Sequence, residues 1–241
     1  MGLTHIKMIT EAIILAGGLG TRLQSVVADV PKCMAPINGV PFIKFIIDDL
    51  QKQGITHFIF SLGYKSQSII NFVEEKYPHL EKSYAIEQEP LGTGGAIKAA
   101  CTKVKGAQVF ILNGDTLFVV NLLELADIHT KQHQSCTLAL KPMTNFSRYG
   151  AVETDTNEAV TAFHEKKICA KGLINGGVYA LDVQQFLQEP LPEIFSFEKA
   201  YLEANIGNHK IYGVAFDSYF IDIGIPEDYE KAQIELKMLT N

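Results

Sequence analysis

The stretch Ala12-Ile13-Ile14-Leu15-Ala16-Gly17-Gly18-Leu19-Gly20-Thr21-Arg22-Leu23 is an apolar run that enters a glycine turn and leaves it through an arginine. The run has the composition of a strand buried between neighbours in a parallel sheet. Gly17, Gly18 and Gly20 let the backbone turn sharply and bring its N–H groups against a bulky anion, which is phosphate-binding chemistry. The stretch is not a Walker A loop, which ends in Gly-Lys-[Ser/Thr]. Its Gly-Gly-x-Gly spacing also departs from the dinucleotide Gly-x-Gly-x-x-Gly. What surrounds the loop must therefore define its role.

Strand-like runs alternate with helical patterns on its C-terminal side. Residues 11–16, 57–62, 83–87 and 108–112 read as strands, and residues 41–53, 67–76 and 93–103 as helices. This rhythm predicts an α/β fold, a three-layer α/β/α arrangement whose mixed, mainly parallel central sheet is covered on both faces. Ligands bind such sheets beyond the carboxyl ends of the strands. Residues 17–22 and 113–115 both follow strand ends, so they can share one cleft. After Asp115 the rhythm loosens into a helix at 122–134, a strand at 136–140 and shorter pieces at 149–153, 159–165 and 174–181. That region reads as a second, smaller lobe with some antiparallel pairing. A helix at 197–204, strands at 209–215 and 219–223, and a helix begun by Pro226 close the chain.

Composition narrows the function. A chain of 241 residues with 47% hydrophobic residues can bury a substantial core. The net charge of -6 and the pI near 5.6 argue against a nucleic-acid binder working by general electrostatics, while free nucleotides remain suitable partners. The first residues carry no signal-peptide-like apolar core and no later run approaches a membrane span, so a cytoplasmic protein that does not engage a membrane is expected. Cys33, Cys101, Cys136 and Cys169 are widely separated and read as reduced thiols, mostly core fillers.

Four further groups of residues carry chemistry. Lys32, in Val30-Pro31-Lys32, lies ten residues beyond Arg22 on the segment leaving the glycine loop. A planar guanidinium and a compact ammonium together suit a polyphosphate, since they neutralise charge that builds on departing phosphates. Glu87-Gln88-Glu89-Pro90-Leu91-Gly92-Thr93-Gly94-Gly95 is a glycine-rich turn ahead of a helix. Its small residues suit a flat ring against the backbone, Gln88 can donate to and accept from a base edge, and Thr93 is placed to cap the helix. Asp115 follows a buried strand and Asp222 ends a late one. Two such carboxylates reaching one edge of the sheet suffice for Mg²⁺, which leaves its other positions to phosphates and water. In the looser lobe, Gly150, Glu165, Lys166 and Asn175 offer carboxylate, amide, ammonium and main-chain groups suited to sugar hydroxyls and a phosphate.

Taken together, Leu15-Ala16-Gly17-Gly18-Leu19-Gly20-Thr21-Arg22-Leu23, Pro31-Lys32, Glu89-Pro90-Leu91-Gly92-Thr93, Asn113-Gly114-Asp115, Glu165-Lys166, Asn175-Gly176-Gly177 and Asp222-Ile223-Gly224 closely resemble, in this order, the motifs of the sugar-1-phosphate nucleotidyltransferases. Nearly the whole chain takes part. One departure is Cys33, where that family usually has proline after the lysine. The resemblance implies a Rossmann-like nucleotidyltransferase fold and a magnesium-dependent reaction. A sugar 1-phosphate oxygen attacks the α-phosphorus of a nucleoside triphosphate and pyrophosphate leaves. The nucleophile is already an anion, so no general base is needed, and no His-centred constellation stands out among the seven histidines. Positioning and charge neutralisation carry such catalysis.

The roles that follow from the resemblance are Arg22 and Lys32 on the triphosphate, Asp115 and Asp222 on Mg²⁺, and Lys166 on the sugar phosphate. Residues 15–17 lie near the base and 18–22 near the phosphates, so Leu15, Ala16, Gly17, Gly18, Gly20 and Thr21 join Gln88, Gly92 and Thr93 around the nucleotide. Gly150, Glu165 and Asn175 contact the sugar. Residues 1–241 then form a single domain with a nucleotide-binding part at about 8–135, a sugar-binding lobe at about 136–215 and a metal-binding strand and closing helix at about 216–241. Within the family, Ser25-Val26-Val27, residues 34–39, residues 172–179, Phe195-Ser196-Phe197-Glu198-Lys199 and residues 219–229 are most similar to the branch that joins GTP to a heptose 1-phosphate, giving GDP-heptose for bacterial surface glycans. Spacing and composition do not separate guanine from thymine or heptose from hexose. The alternatives are the same reaction with another base or sugar, of the glucose-1-phosphate thymidylyl or mannose-1-phosphate guanylyl type, and a silent nucleotide-sugar-binding regulatory subunit. The retained Arg22, Lys32, Asp115, Lys166 and Asp222 speak against the last. Homo-oligomer formation is left open.

Overall fold

The computed structural model describes residues 8–18, 23, 27, 30–208 and 210–237. Along the first half run β1 (Glu11–Ala16), β2 (Pro36–Ile37), β3 (Val40–Pro41), α1 (Ile43–Lys52), β4 (His57–Leu62), α2 (Ser66–Lys76), β5 (Glu81–Ile86), α3 (Gly92–Cys101), β6 (Gln108–Asn113) and β7 (Thr116–Phe118). There follow α4 (Leu122–Lys131), β8 (Cys136–Phe146), β9 (Ala151–Thr154), β10 (Val160–Phe163), β11 (Cys169–Asp182), α5 (Val183–Gln188), β12 (Ile211–Ala215), β13 (Phe220–Asp222) and α6 (Pro226–Glu235).

The opening apolar run lies at the centre of the sheet. β1 pairs in parallel with β4 and with β6, and β5 extends the parallel set beyond β4. On the other side of β6 comes antiparallel β11, then β8, with β12 parallel to β8. β9 and β10 complete a mixed nine-stranded sheet. Alternate residues of the central strands serve opposite faces, as strand geometry requires. Ala12, Ile14, Phe58, Phe60, Phe110 and Leu112 pack with α1, α2, α4 and α6, whereas Ile13, Ile59, Val109 and Ile111 pack with α3 and α5. Each of these fully buried large side chains contributes about 1.5–3 kcal/mol relative to exposure. The layered α/β arrangement expected from the alternation is the one observed.

Helix boundaries follow local chemistry. In α1 the buried Ile43, Ile46, Ile47 and Leu50 fall at i, i+3, i+4 and i+7, the stripe that covers one sheet face. Asn121 caps α4 by accepting from the Glu124 N–H at 3.2 Å, and Pro226 opens α6. β8 and β11 are much longer than the runs at 136–140 and 174–181 suggest, because the two continue together as one antiparallel pair. A register shift between Asn175 and Val178 interrupts that pair at Gly176-Gly177. This bulge lets β11 change partners along its length, from β9 to β6, while keeping β8. Residues 197–204, expected as a helix, form a six-residue π-helix, Phe197–Leu202, followed by a 3-10 turn.

Two small ribbons also shape the site. β2 and β3 meet across Asn38-Gly39, both at positive φ, the two-residue turn favoured in hairpins. β7 and β13 pair antiparallel, apart from the main sheet, with Thr116 opposite Asp222.

Candidate active site

The parallel strands β1, β4, β5 and β6 all point their carboxyl ends at one region, and a cavity of about 710 Å³ opens there. Leu15, Ala16, Gly17 and Gly18 line it from β1, Ser61, Gly63 and Tyr64 from β4, Glu87 to Pro90 from β5, and Asn113, Gly114 and Asp115 from β6. The loops approach so closely that side chains are excluded. A Cβ on Gly17 would stand 2.8 Å from Glu87 Oε1, and one on Gly114 would stand 2.7 Å from the Leu15 carbonyl. The Gly114 N–H donates to that carbonyl at 2.8 Å, which locks the Asp115 loop onto the end of β1.

Lys32 sits in a short 3-10 turn, Lys32–Met34, and its Nζ lies 2.5 Å from Asp115 Oδ2 and 3.8 Å from Asp222 Oδ1. The β7–β13 ribbon brings the two aspartates together, and the Ile223 N–H donates to the Asp115 carbonyl at 3.1 Å. Asp222 is held further by the Gly224 N–H at 2.7 Å and by Tyr149, whose hydroxyl donates to Oδ2 at 3.4 Å. Burial and then the Asp115 charge raise the Asp222 pKa above its ordinary value, while Lys32 and the Gly224 N–H act in the opposite sense. Two oxygen-only donors that already share one cation are the donor set a small hard cation takes alongside phosphate oxygens and water. These residues therefore fit a divalent ion. Cys33 is buried behind Lys32, and burial followed by the Asp115 charge pushes its thiol up to about 12, so it stays a neutral packing residue.

The glycine-rich turn does something other than expected. Leu91, not Thr93, is the N-cap of α3, without a side-chain bond to the helix. Thr93 Oγ1 instead donates to Glu198 Oε2 at 2.8 Å and accepts from the Phe197 N–H at 2.9 Å. The glycines are accounted for by protein packing too. A Cβ on Gly94 would fall 2.1 Å from the Phe195 ring, and one on Gly92, which has φ +71°, would fall 2.5 Å from the Phe195 carbonyl. Gly92, Thr93 and Glu198 nevertheless line the cavity together.

The remaining candidates are distributed as follows. Gln88 is exposed on the cavity wall. Gly150 packs in the loop after β8, where a Cβ would meet the His164 carbonyl at 2.3 Å. Asn175 donates through Nδ2 to the Tyr179 hydroxyl at 2.8 Å and accepts from the Gly177 N–H at 3.0 Å. Glu165 and Lys166 are exposed on the loop between β10 and β11, and neither lines the cavity; Glu165 pairs with Lys199 at 2.9 Å. Gly20, Thr21 and Arg22 lie outside the described residues. Glu87 and Glu198 line the cavity although both stood in quoted stretches without an assigned role. Glu87 stood in the quoted motif beside Gln88, whereas Glu198 belongs to no glycine pattern.

A doubly covered sheet with a glycine loop, a lysine and two aspartates gathered at its carboxyl edge defines a nucleotidyl transferase, and the chain belongs to the nucleotidyl transferase family, whose pattern residues 11–238 match. Among its relatives, D-glycero-alpha-D-manno-heptose 1-phosphate guanylyltransferase of Aneurinibacillus thermoaerophilus is 51% identical over 94% of this chain and 98% of its own length. The protein of the same name from Campylobacter jejuni is 47% identical, covering 91% of this chain and 96% of its own. A crystal structure of HddC from Yersinia pseudotuberculosis complexed with GMP-PN superposes with a TM-score of 0.83 at 37% identity, over 93% of this chain and 98% of that one. Among the described residues no helix is long and apolar enough to cross a membrane.

Proposed function

We propose that this chain transfers a guanylyl group from GTP to D-glycero-α-D-manno-heptose 1-phosphate, giving GDP-heptose and pyrophosphate. The observation that carries the chemistry is the position of Lys32 and Asp115 in the cavity wall, with Asp222 within reach of the same lysine. The choice of base and sugar rests on the two relatives at 51% and 47% identity. One feature of the cavity agrees with guanine: the Glu87 carboxylate, with Oε2 accepting from the Leu91 N–H at 2.8 Å, is an acceptor suited to the adjacent N1–H and 2-amino donors of guanine, where thymine offers a single ring N–H.

In this reading the GTP base lies between the β1 loop and Glu87 to Pro90, with the phosphates toward Lys32. An oxygen of the sugar phosphate attacks the α-phosphorus in line. The bond to the bridging oxygen breaks, and pyrophosphate leaves with that electron pair. Lys32 neutralises charge on the phosphates, and Arg22 is assigned beside it. Asp115 and Asp222 would hold Mg²⁺, which supplies charge neutralisation and template chemistry when bound. No side chain takes a proton in this step. Lys166 is assigned to the sugar phosphate, and Gly150, Glu165 and Asn175 to the sugar, within one domain whose second lobe carries these residues.

A substrate panel tests the proposal. Purified protein with Mg²⁺ should release pyrophosphate fastest from GTP with the heptose 1-phosphate. Faster release from dTTP with glucose 1-phosphate, or from GTP with mannose 1-phosphate, would overturn the specific assignment and leave the reaction class standing.

A further inference from the structure

We propose that Glu198 determines sugar specificity, accepting a hydrogen bond through Oε1 from a hydroxyl of the sugar 1-phosphate; this rests on the guanylyl-transfer reading above. Both described contacts of its carboxylate fall on the other oxygen. Thr93 Oγ1 donates to Oε2 at 2.8 Å and Ser196 Oγ donates to Oε2 at 2.9 Å. Among the described residues nothing donates to Oε1. Glu198 is half-buried and lines the cavity, so the charge is oriented by two hydroxyls with one oxygen left for a ligand. A carboxylate there repels phosphates and attracts hydroxyl donors, which excludes the triphosphate as its partner.

The surroundings favour the acceptor sugar over the ribose. Glu198 stands in a π-helix, a rare conformation that recurs at functional sites. Its neighbour Lys199 pairs with Glu165 at 2.9 Å, tying this segment to the loop that carries Lys166. Its other neighbour, Phe197, packs edge-on against Tyr179, whose hydroxyl accepts from Asn175 Nδ2 at 2.8 Å. Tyr179 is held above its ordinary pKa by burial first and by the charge of Glu198 second. Thr93, on the nucleotide wall, holds the carboxylate directly, and Asn175 is linked to this segment through Tyr179 and Phe197. The glycine-rich turn that packs on residues 195–197 sets its position.

Glu198→Gln is the informative variant. Its amide oxygen can still accept from Thr93 and Ser196, while the other position becomes an NH₂ group that cannot accept. The expected result is a KM for the sugar 1-phosphate raised about tenfold to a hundredfold, the size expected for losing a hydrogen bond to a charged group. The KM for GTP and the melting temperature should stay near wild type. Thr93→Val, which frees the carboxylate without removing it, should raise the same KM by a smaller factor. A rise confined to the GTP KM would assign Glu198 to the ribose and overturn the proposal, as would no change in either KM. The wild-type panel reports separately on the reaction: the Gln/wild-type ratio is taken with whichever sugar phosphate the wild type uses best.

Discussion

Thr116 stands directly opposite Asp222 in the β7–β13 ribbon, and that pairing sets Asp115 beside a carboxylate from the far end of the chain. The ribbon is short, yet it decides the electrostatics of the site. Lys32 Nζ then lies within reach of both acids, at 2.5 Å and 3.8 Å.

Asp115→Asn removes one of the two charges without changing shape. Loss of one preorganised electrostatic group costs about 10²–10³ in turnover. Pyrophosphate release should fall by at least that factor. The thermal midpoint should move by only a few degrees, because the loop remains tied by the Gly114 N–H to the Leu15 carbonyl. Turnover near wild type would remove Asp115 from the chemistry.

Lys32→Met leaves Asp115 and Asp222 facing each other with their shared cation gone. Burial and Asp115 already raise the Asp222 pKa, and Lys32 is the charge that opposes them. Without Mg²⁺ the variant should lose about 1–3 kcal/mol of stability at neutral pH, as expected when a partly buried charge loses its partner. Added Mg²⁺ should raise its melting temperature more than that of the wild type. Equal shifts in the two proteins would argue against a metal held by these carboxylates.

Lys166→Ala addresses a residue that does not line the observed cavity. Lys166 is exposed on the β10–β11 loop, so its removal should leave stability unchanged within about 0.5 kcal/mol. If the loop closes on the sugar phosphate, the KM for that substrate should rise about tenfold or more, as for loss of a charge-assisted bond. The GTP KM should hold. An effect on GTP alone would contradict the assignment.

The contrast between Asp115 and Lys166 marks how far the sequence carries. β1 and β4 were legible to the residue because continuous apolar runs end in glycine, so composition and period agree. β5 begins earlier than its apolar part, since Glu81 and Lys82 pair along the ladder while their charges go to Lys105 and Glu74 and add no apolar signal. β13 was expected within 219–223, but β7 and the pairing of the two escaped notice because a three-residue strand carries no period and only its partner defines it. Thr93 had the chemistry of a cap but was claimed by a contact 104 and 105 residues away in sequence, with Phe197 and Glu198. The central strands and the individual candidates Lys32, Asp115 and Asp222 follow from local signals. The ribbon that gathers the two aspartates and the orientation of Glu198 are tertiary, and no local pattern announces them.

His129 gives a prediction about stability alone. Its ring is fully buried on α4, with Nδ1 and Thr137 Oγ1 2.9 Å apart, while Nε2 has no hydrogen-bond partner in the described structure. Burial lowers its pKa to about 4, and the Asp182 charge only partly opposes this. The folded protein therefore holds His129 neutral where an unfolded chain would begin to protonate it near 6.5. Protons bind the unfolded state preferentially in that interval, so this contribution is fully present above about pH 6.5 and is lost as the pH falls toward about 4. At about 1.4 kcal/mol per pKa unit, the loss is on the order of 3 kcal/mol. Urea midpoints measured from pH 7 to pH 4.5 should fall in both the wild type and His129→Gln as carboxylates titrate. The fall should be shallower in the variant, whose amide does not titrate and can still reach Thr137. Parallel curves would mean that His129 is protonated in the folded protein, and that Nε2 finds a partner when it takes the proton.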